Sequence, residues 1–189
     1  MQKADITKHL PLELERLVIR IPTLEDVDML QSAKEKREEP LRRWMCWSDD
    51  YGMSRQGVVD YITQSAVNPC AIPLIGVKKD SRQFVIATGI DSEDDNFLTI
   101  STGWWLADGF EGQGFASEAM QKIFEFLQQI IGANAVKAQF YEGNTRSRNL
   151  MERLGMSYVE TKPKSHTSHL TGELLDVIKY ERIFESETT

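Results

Sequence analysis

The stretch from Gly103 to Met120 reads GWWLADGFEGQGFASEAM, and it decides the fold of this chain. A strand-like run ends in it and a long helix begins, with a glycine-containing turn between them. The helix is predicted over residues 115–131, because apolar residues recur in steps of four and three at Ala116, Met120, Ile123, Leu127 and Ile130. Glycine lets a backbone approach a ligand closely, and the unpaired amides of a first helical turn attract anions. The stretch therefore predicts an anion site at a strand-to-helix turn.

Strand-like runs lie on both sides of this stretch, separated by short polar turns. Upstream strands are predicted over residues 16–21, 72–77, 84–90 and 97–106. Downstream strands are predicted over residues 135–141, 158–161 and 176–184. Further helices are predicted from Thr23, from Ser54 and over residues 145–154, the last closed by Gly155. This order predicts an α/β protein with a mixed sheet and helices packed on it.

Three segments are expected to contribute little to the body of the fold. The first dozen residues and residues 185–189 have the composition of frayed chain ends. The charged run from Lys34 to Glu39 is predicted to be a solvated helix face. We therefore expect a single domain, residues 1–189, with its core at about residues 14–184.

Composition excludes several classes of function. The 189 residues include 22 Lys and Arg against 29 Asp and Glu, a formal charge of −7, and binding to nucleic acid requires a basic surface instead. No apolar run approaches the roughly 18 residues of a membrane span, and the N-terminus lacks the apolar segment of a signal peptide. Cys46 and Cys70 form no CxxC site. We expect a cytoplasmic protein without metal, nucleic acid or membrane partners.

The glycine turn by itself is compatible with a tight connection and no ligand. A P-loop is excluded, because Phe115 and Ala116 stand where that motif needs Lys and Ser/Thr. A dinucleotide fingerprint would place Ser117 at its third glycine and requires an acidic residue about 20 positions further on. Glu142 lies beyond that distance, and the turn follows a meander of strands rather than opening a βαβ unit.

Three other stretches, taken together with residues 103–120, form a recognisable set of motifs. The segment from Asn144 to Met156, NTRSRNLMERLGM, contains N-x-x-S followed by E-R-x-G-M, while LERLVIR and RRWMCW occupy residues 14–20 and 42–47. In this order they resemble the GNAT acyltransferases, and among them the RimJ/RimL branch, over about residues 14–184. The resemblance implies a mixed, mostly antiparallel sheet of six to seven strands with splayed central strands, flanked by about four helices.

The resemblance also implies an activity, which is direct transfer of acetyl from acetyl-CoA to a primary amine in a ternary complex. The acceptor it implies first is the α-amine of a protein N-terminus. A small-molecule amine is the alternative, as is a CoA-binding module that has lost catalysis. Monomer and homodimer both stay open. The acidic composition mildly favours a cationic acceptor.

The cofactor-binding residues are implied by the same resemblance. Backbone amides hold the pyrophosphate at Glu111, Gly112, Gln113, Gly114, Phe115 and Ala116. The strands at 98–106 and 135–141 splay apart, and the pantetheine lies between them beside Trp105 and Leu106. Asn144 contacts the cofactor, and Ser147 lies near the sulfur, where its hydroxyl can protonate the departing thiolate. A helix N-cap would also explain Asn144, and Ser147 is equally compatible with ordinary surface.

Glu111 departs from the family pattern, which has Arg or Gln at this position. A carboxylate beside a phosphate is unfavourable unless it faces solvent, so we expect a modest loss of affinity. The identity of the general base stays open. One alternative is that no general base is needed, because desolvation and positioning of the amine suffice. Candidates from position are Glu111, Asp108, Glu142, His166 and His169, the two histidines in a loop before the final strand. Cys46 is not expected to act as a nucleophile, because no histidine partner is evident.

The acceptor pocket is expected to be built from the first helices, the segment from Trp44 to Trp47 and the loop from His166 to Gly172. For the two tryptophans, a place in the core is favoured over a place in the pocket wall. Arginines on the helix after Asn144 are expected to form a solvated face from which one or two reach CoA phosphates, namely Arg146, Arg148 and Arg153.

Overall fold

A mixed β-sheet forms the middle of the protein in the computed structural model, which describes residues 1–184. Its strands within that range are β1 Leu12–Glu13, β2 Leu17–Arg20, β3 Ala71–Lys78, β4 Phe84–Ser92, β5 Thr99–Ser101, β6 Trp104–Leu106, β7 Ala135–Tyr141, β8 Ser157–Thr167 and β9 Leu174–Ile183. They lie in the order β1-β2-β3-β4-β5-β7-β9-β8, and β6 pairs with β4 outside this path. Among the strands of residues 1–184, only β5 and β7 pair in parallel. The predicted mixed, mostly antiparallel sheet is confirmed.

The predicted strand 97–106 is interrupted at Thr102 and Gly103, which divides it into β5 and β6. Both halves keep one register against β4, with Ser101 opposite Asp91 and Trp104 opposite Thr88. At the interruption the buried Thr102 hydroxyl donates to the carbonyl of Gly89 at 2.7 Å. This division, together with the short β1, raises the number of strands in residues 1–184 to nine from the six or seven expected.

The two central strands diverge beyond this interruption. Pairing of β5 with β7 ends at Ser101 and Lys137, and the last bond runs from the Thr102 amide to the Lys137 carbonyl at 2.9 Å. Further along, β6 pairs only with β4 and β7 only with β9, within residues 1–184. The splayed central strands are therefore confirmed, and a gap bordered by backbone groups separates residues 104–106 from residues 138–141.

Helices cover both faces of the sheet. The α-helices within residues 1–184 are α1 Lys3–Thr7, α2 Val27–Lys36, α3 Glu38–Trp44, α4 Asp50–Met53, α5 Arg55–Val67, α6 Phe115–Phe126 and α7 Thr145–Arg153. A core on one face joins α6 and α7 to the sheet, and a smaller core on the other joins α2 and α5. Seven helices replace the four or so expected, because α1, α3 and α4 are short segments of five, seven and four residues. None of the helices in the described range is both long and apolar enough to cross a membrane.

The N-terminal segment is ordered into the fold, so the expectation of a frayed start was wrong. Ile6 of α1 is fully buried, and the Lys3 ammonium donates to the Asn68 carbonyl at 2.9 Å. These two contacts fix α1 against the core and against the end of α5. Residues 185–189, also expected to fray, lie outside the described residues.

The last two strands form a hairpin longer than predicted. The strand β8 was expected over residues 158–161 but runs from Ser157 to Thr167. Its residues are almost all exposed, and this explains why no apolar alternation marks them. His166 therefore lies in a strand rather than in the expected loop, while His169 lies in the connection to β9.

Candidate active site

A cavity of about 850 Å³ opens where β6 and β7 diverge. Its walls are β6, the turn that leads into α6, the first turn of α7, and α3. Every residue for which cofactor binding was predicted, except Gln113, lines it: Trp105, Leu106, Glu111, Gly112, Gly114, Phe115, Ala116, Asn144 and Ser147. The fold thus brings together in one place two sequence motifs that lie about 30 residues apart.

The turn before α6 presents a row of free amides. Gly112 and Gly114 have φ angles of 73° and 81°, in the left-handed region that favours glycine. The amides of residues 112–116 donate to no other residue within 1–184, and the first bond of the helix runs from the Glu118 amide to the Gly114 carbonyl at 2.9 Å. A Cβ on Gly112 would meet no atom within 4 Å. Five unpaired donors at the positive end of a helix, with open space above them, fit a phosphate group.

Arg16 holds this turn from outside the cavity. Its guanidinium donates to the Gln113 carbonyl at 3.0 Å and to the Glu118 carboxylate at 2.7 Å, and it lies 4.1 Å from the centroid of the Phe115 ring. The side chain of Gln113 donates to the Gly109 carbonyl at 2.5 Å, within the turn. The amide row is therefore preorganised by Arg16, a residue that the sequence analysis assigned only to a strand.

Glu111, which stands where the family has Arg or Gln, forms ion pairs with two arginines. Its carboxylate pairs with the Arg37 guanidinium and lies 3.7 Å from that of Arg146, and 24% of its side chain is exposed. Partial burial acts to raise the pKa of Glu111, but its own backbone amide and the charges of Arg37 and Arg146 hold the pKa below its ordinary value. The carboxylate is thus charged and neutralised by arginines rather than turned to solvent.

Asn144 and Ser147 lie together at the start of α7. The Asn144 side chain accepts a hydrogen bond from the Ser147 amide at 3.2 Å, which confirms the N-cap reading. The Ser147 hydroxyl has no partner among residues 1–184 and lines the cavity. It is consequently free to donate to a ligand atom there.

The three arginines of α7 have different surroundings. Arg146 and Arg153 line the cavity, and Arg153 also donates to the Ser117 hydroxyl of α6 at 2.8 Å. Arg148 does not line it, and it pairs with Glu152 at 2.8 Å on the same helix. Two of the three arginines therefore line the cavity, and the third faces away from it.

The β8–β9 hairpin brings two histidines to the end of β7. The ring of His166 stacks on Tyr141 with 3.8 Å between centroids, and its buried Nε2 has no partner among the described residues. Burial lowers the pKa of His166, and the charge of His169 lowers it further. Burial also raises the pKa of Tyr141, with Cys46 adding to the effect. Nε2 of His169 lies 2.9 Å from the Cys46 carbonyl oxygen, which ties the hairpin to the segment after α3.

The other candidate bases are placed differently. Asp108 lies 3.6 Å from Arg37 and is mostly exposed. Glu142 is exposed and absent from the cavity wall. Of the five positions considered, Glu111 alone lines the cavity. His166 lies outside the cavity wall, and it alone has a buried ring nitrogen without a partner within residues 1–184.

Aromatic residues close the side of the cavity formed by α3. The position of a Cβ on Gly143 lies 3.4 Å from the Trp44 ring. The Trp47 ring lies 6.3 Å from that of Trp105, which in turn lies 5.0 Å from that of Phe84. The segment from Trp44 to Trp47 therefore spans the gap between β6 and β7 and serves partly as core and partly as wall.

Comparison with known families agrees with this geometry. Residues 16–157 match the acetyltransferase (GNAT) domain family. The chain belongs to this GNAT acetyltransferase family. A search of curated protein sequences gives no match.

Solved GNAT structures share the fold over nearly their whole length. RimL, a ribosomal L7/L12 α-N-protein acetyltransferase in complex with coenzyme A, superposes with a TM-score of 0.81 at 17% identity, covering 90% of this chain and 95% of RimL. The ribosomal-protein-S5-alanine acetyltransferase from Vibrio fischeri gives 0.80 at 14% identity, covering 95% and 100%. The microcin C7 self-immunity acetyltransferase MccE, in complex with acetyl-CoA and AMP, gives 0.78 at 19% identity, covering 90% and 93%.

This GNAT protein also buries two side chains that the sequence analysis assigned to solvent. Lys34 is 8% exposed, and its ammonium donates to the Gly52 carbonyl at 2.8 Å and lies 4.8 Å from the Trp47 ring centroid. Burial lowers the pKa of Lys34 to about 8. Arg37 has only 14% of its side chain exposed. The apolar face of α2 contains Val27, Leu30 and Ala33, and Lys34 and Arg37 continue it in steps of three and four residues. This spacing predicts that both side chains face inward despite their charge.

Proposed function

We propose that this GNAT enzyme transfers the acetyl group of acetyl-CoA to the α-amine of a protein N-terminus. The observation that carries the proposal is the row of five unpaired amides at residues 112–116, beside the gap between β6 and β7. RimL and the S5-alanine acetyltransferase, named for ribosomal-protein acceptors, share the fold. We assign the reaction to the cytoplasm, where the free cysteines Cys46 and Cys70 would stay reduced.

Acetyl-CoA would occupy the cavity from the amide row inward. The amides of residues 112–116 hold the pyrophosphate, with Arg146 and Arg153 as further donors to phosphate. Backbone groups of Trp105 and Leu106, freed by the splay, pair with the pantetheine amides. The cofactor supplies the activated thioester, and the protein supplies its position relative to the amine.

We assign proton removal and proton return to His166 near the end of β8 and to Ser147 in the first turn of α7. We assign the proton that the acceptor amine loses to the His166 Nε2, which is neutral near pH 7 because its pKa is lowered. This ring lies outside the cavity wall, so the assignment places the amine next to Tyr141, on which the ring stacks. The Ser147 hydroxyl donates to the departing thiolate, and Asn144 positions Ser147 through the cap bond. Glu111 contributes as an organiser that holds Arg37 and Arg146 at the turn.

Two measurements test this function. Titration calorimetry with acetyl-CoA should give saturable binding, while NAD gives none. Thiol release from acetyl-CoA should then depend on a peptide with a free α-amine and stop when that amine is blocked. Turnover only with polyamines would favour the small-molecule alternative, and binding without turnover on any amine would indicate a CoA-binding module.

A further inference from the structure

We infer that Arg43 binds a carboxylate of the acceptor, so that the enzyme prefers protein N-termini followed by acidic residues. The inference rests on the proposed function and names the class of acceptor that this site selects. It concerns a residue at the cavity wall that neither the amide row nor the proton-transfer groups use.

The cavity is basic although the protein is acidic. Four arginines and two glutamates line it, namely Arg37, Arg43, Arg146, Arg153, Glu39 and Glu111, which gives a local charge of +2. The whole chain carries −7. The net negative charge of the chain therefore does not extend into the cavity, because the field inside a cleft depends on the charges that line it. Arg146 and Arg153 are assigned to CoA phosphates, which leaves Arg37 and Arg43 as the lining arginines for an acceptor.

Three of these arginines already have partners. Arg37 pairs with Glu111, Arg146 lies 3.7 Å from the same carboxylate, and Arg153 donates to the Ser117 hydroxyl at 2.8 Å. Arg43 has no carboxylate within 4.0 Å and no hydrogen-bond acceptor among residues 1–184. Among the four arginines of the cavity wall, Arg43 is therefore the one whose guanidinium N–H groups are all available to a ligand.

Stacking holds the Arg43 guanidinium in place. The guanidinium carbon lies 4.9 Å from the centroid of the Trp44 ring, and Trp44 itself is fixed against Gly143. A planar guanidinium that rests on an indole loses little freedom when it binds, and its two parallel N–H groups match the two oxygens of a carboxylate.

The position along α3 separates Arg43 from the pyrophosphate turn. Arg37, just before α3, contacts Glu111 in the turn, whereas Arg43 lies six residues later, about 9 Å along a helix axis. The end of α3 that carries Arg43 leads into Cys46, whose carbonyl oxygen contacts His169 of the hairpin. We place the acceptor at this end of the cavity, so that a side chain after the first acceptor residue comes within reach of Arg43.

Matched peptides with a free α-amine test the inference. They carry two glutamates, two glutamines or two lysines directly after one common first residue, and kcat/KM is measured for each. The wild-type enzyme should prefer the glutamate peptide over the glutamine peptide by about tenfold, the effect of one charge-assisted contact. Arg43→Gln should bring that ratio close to one, and Arg43→Glu should favour the lysine peptide. The dissociation constant of acetyl-CoA should not change.

Arg55→Gln is the control, because it removes the same charge from an exposed arginine paired with Asp28 and absent from the cavity wall. It should keep the wild-type ratio. Equal rates on the three peptides, an unchanged ratio in Arg43→Gln, or weaker acetyl-CoA binding in that variant would each overturn the assignment of Arg43 while leaving the N-terminal acetyltransferase intact. If acetyl-CoA binds but none of the peptides is acetylated, the proposed function fails and this inference fails with it.

Discussion

The side chain of Asn144 caps α7 by accepting a hydrogen bond from the Ser147 amide at 3.2 Å. This one bond orders the helix start and also fixes the residue whose hydroxyl faces the cavity. The proposed functional role of Asn144 therefore coincides with its structural role as a helix cap, and substitutions can separate the two.

Asn144→Ala should lower the free energy of unfolding by about 1 kcal/mol, because the cap is lost. Asn144→Asp should keep the stability, since aspartate caps a helix equally well, but it should weaken acetyl-CoA binding by placing a negative charge beside an anionic ligand. Urea unfolding and calorimetric titration of both variants measure the two effects. Equal acetyl-CoA affinity in wild type and Asn144→Asp would leave Asn144 with capping alone.

Ser147→Ala should lower kcat by about a hundredfold, the usual contribution of a positioned acid, with little change in acetyl-CoA affinity. The cap bond uses the backbone of Ser147 and persists in this variant. Thr63→Ala, which removes an exposed hydroxyl from α5 and does not touch the cavity wall, should keep the wild-type kcat. Steady-state thiol release measures both variants, and an unaltered kcat in Ser147→Ala would remove its hydroxyl from the mechanism.

Gly112→Ala should weaken acetyl-CoA binding by about tenfold or more, because a Cβ enters the space above the amide row. Gly109→Ala is a matched control, since Gly109 has a φ of 82° against 73° for Gly112, is equally open around its Cβ, and does not line the cavity. Both variants should lose about 1 kcal/mol of stability from the left-handed backbone. Equal acetyl-CoA affinity in the two variants would count against the amide row as the phosphate site.

The titration of His166 predicts the acid side of the pH profile. Burial and His169 lower its pKa, so the ring is neutral at pH 7 and kcat/KM should fall only below the ordinary histidine value of about 6.5. His166→Gln should lower kcat/KM by about a hundredfold and abolish this acid limb. A limb near pH 8 should persist in both enzymes, because it belongs to the α-amine of the acceptor.

His9→Gln removes an exposed histidine that does not line the cavity. It should keep the wild-type profile when kcat/KM is measured from about pH 5 to 9 on one peptide. If the His166→Gln variant kept the acid limb, the proton acceptor would be a group other than His166.

The sequence predicts the elements that carry periodic apolar residues or a glycine stop. The strand over residues 135–141 was predicted with its observed bounds, and the helix from Phe115 ends as expected at Gly132, which has a φ of 72°. The last turn of that helix, Leu127–Ile131, is wound as a π-helix. Ile130, predicted on the apolar stripe, is therefore 41% exposed, because a change of winding rotates the stripe and leaves no mark in composition.

The sequence predicted the local motifs of the candidate site and several of its side chains, among them Ser147 and His166, but not the tertiary contacts that arrange them. Local motifs specify the turn at residues 112–116 and the start of α7, whereas Arg16, Arg37 and His166 reach the site through tertiary contacts. Arg16 lies about a hundred residues from the turn that it holds, and His166 depends on a polar hairpin without apolar alternation. Contacts of this kind follow from the packing of elements, which a single sequence does not display.

The most direct test of the central claim is the position of the label after incubation with isotopically labelled acetyl-CoA. The acceptor is a peptide that has both a free α-amine and an internal lysine, and tandem mass spectrometry locates the acetyl group. We expect label on the α-amine alone, and, at limiting acetyl-CoA, less of that label with Gly112→Ala than with Gly109→Ala. Label on the lysine ε-amine, or none on a peptide while acetyl-CoA binds, would contradict the central claim.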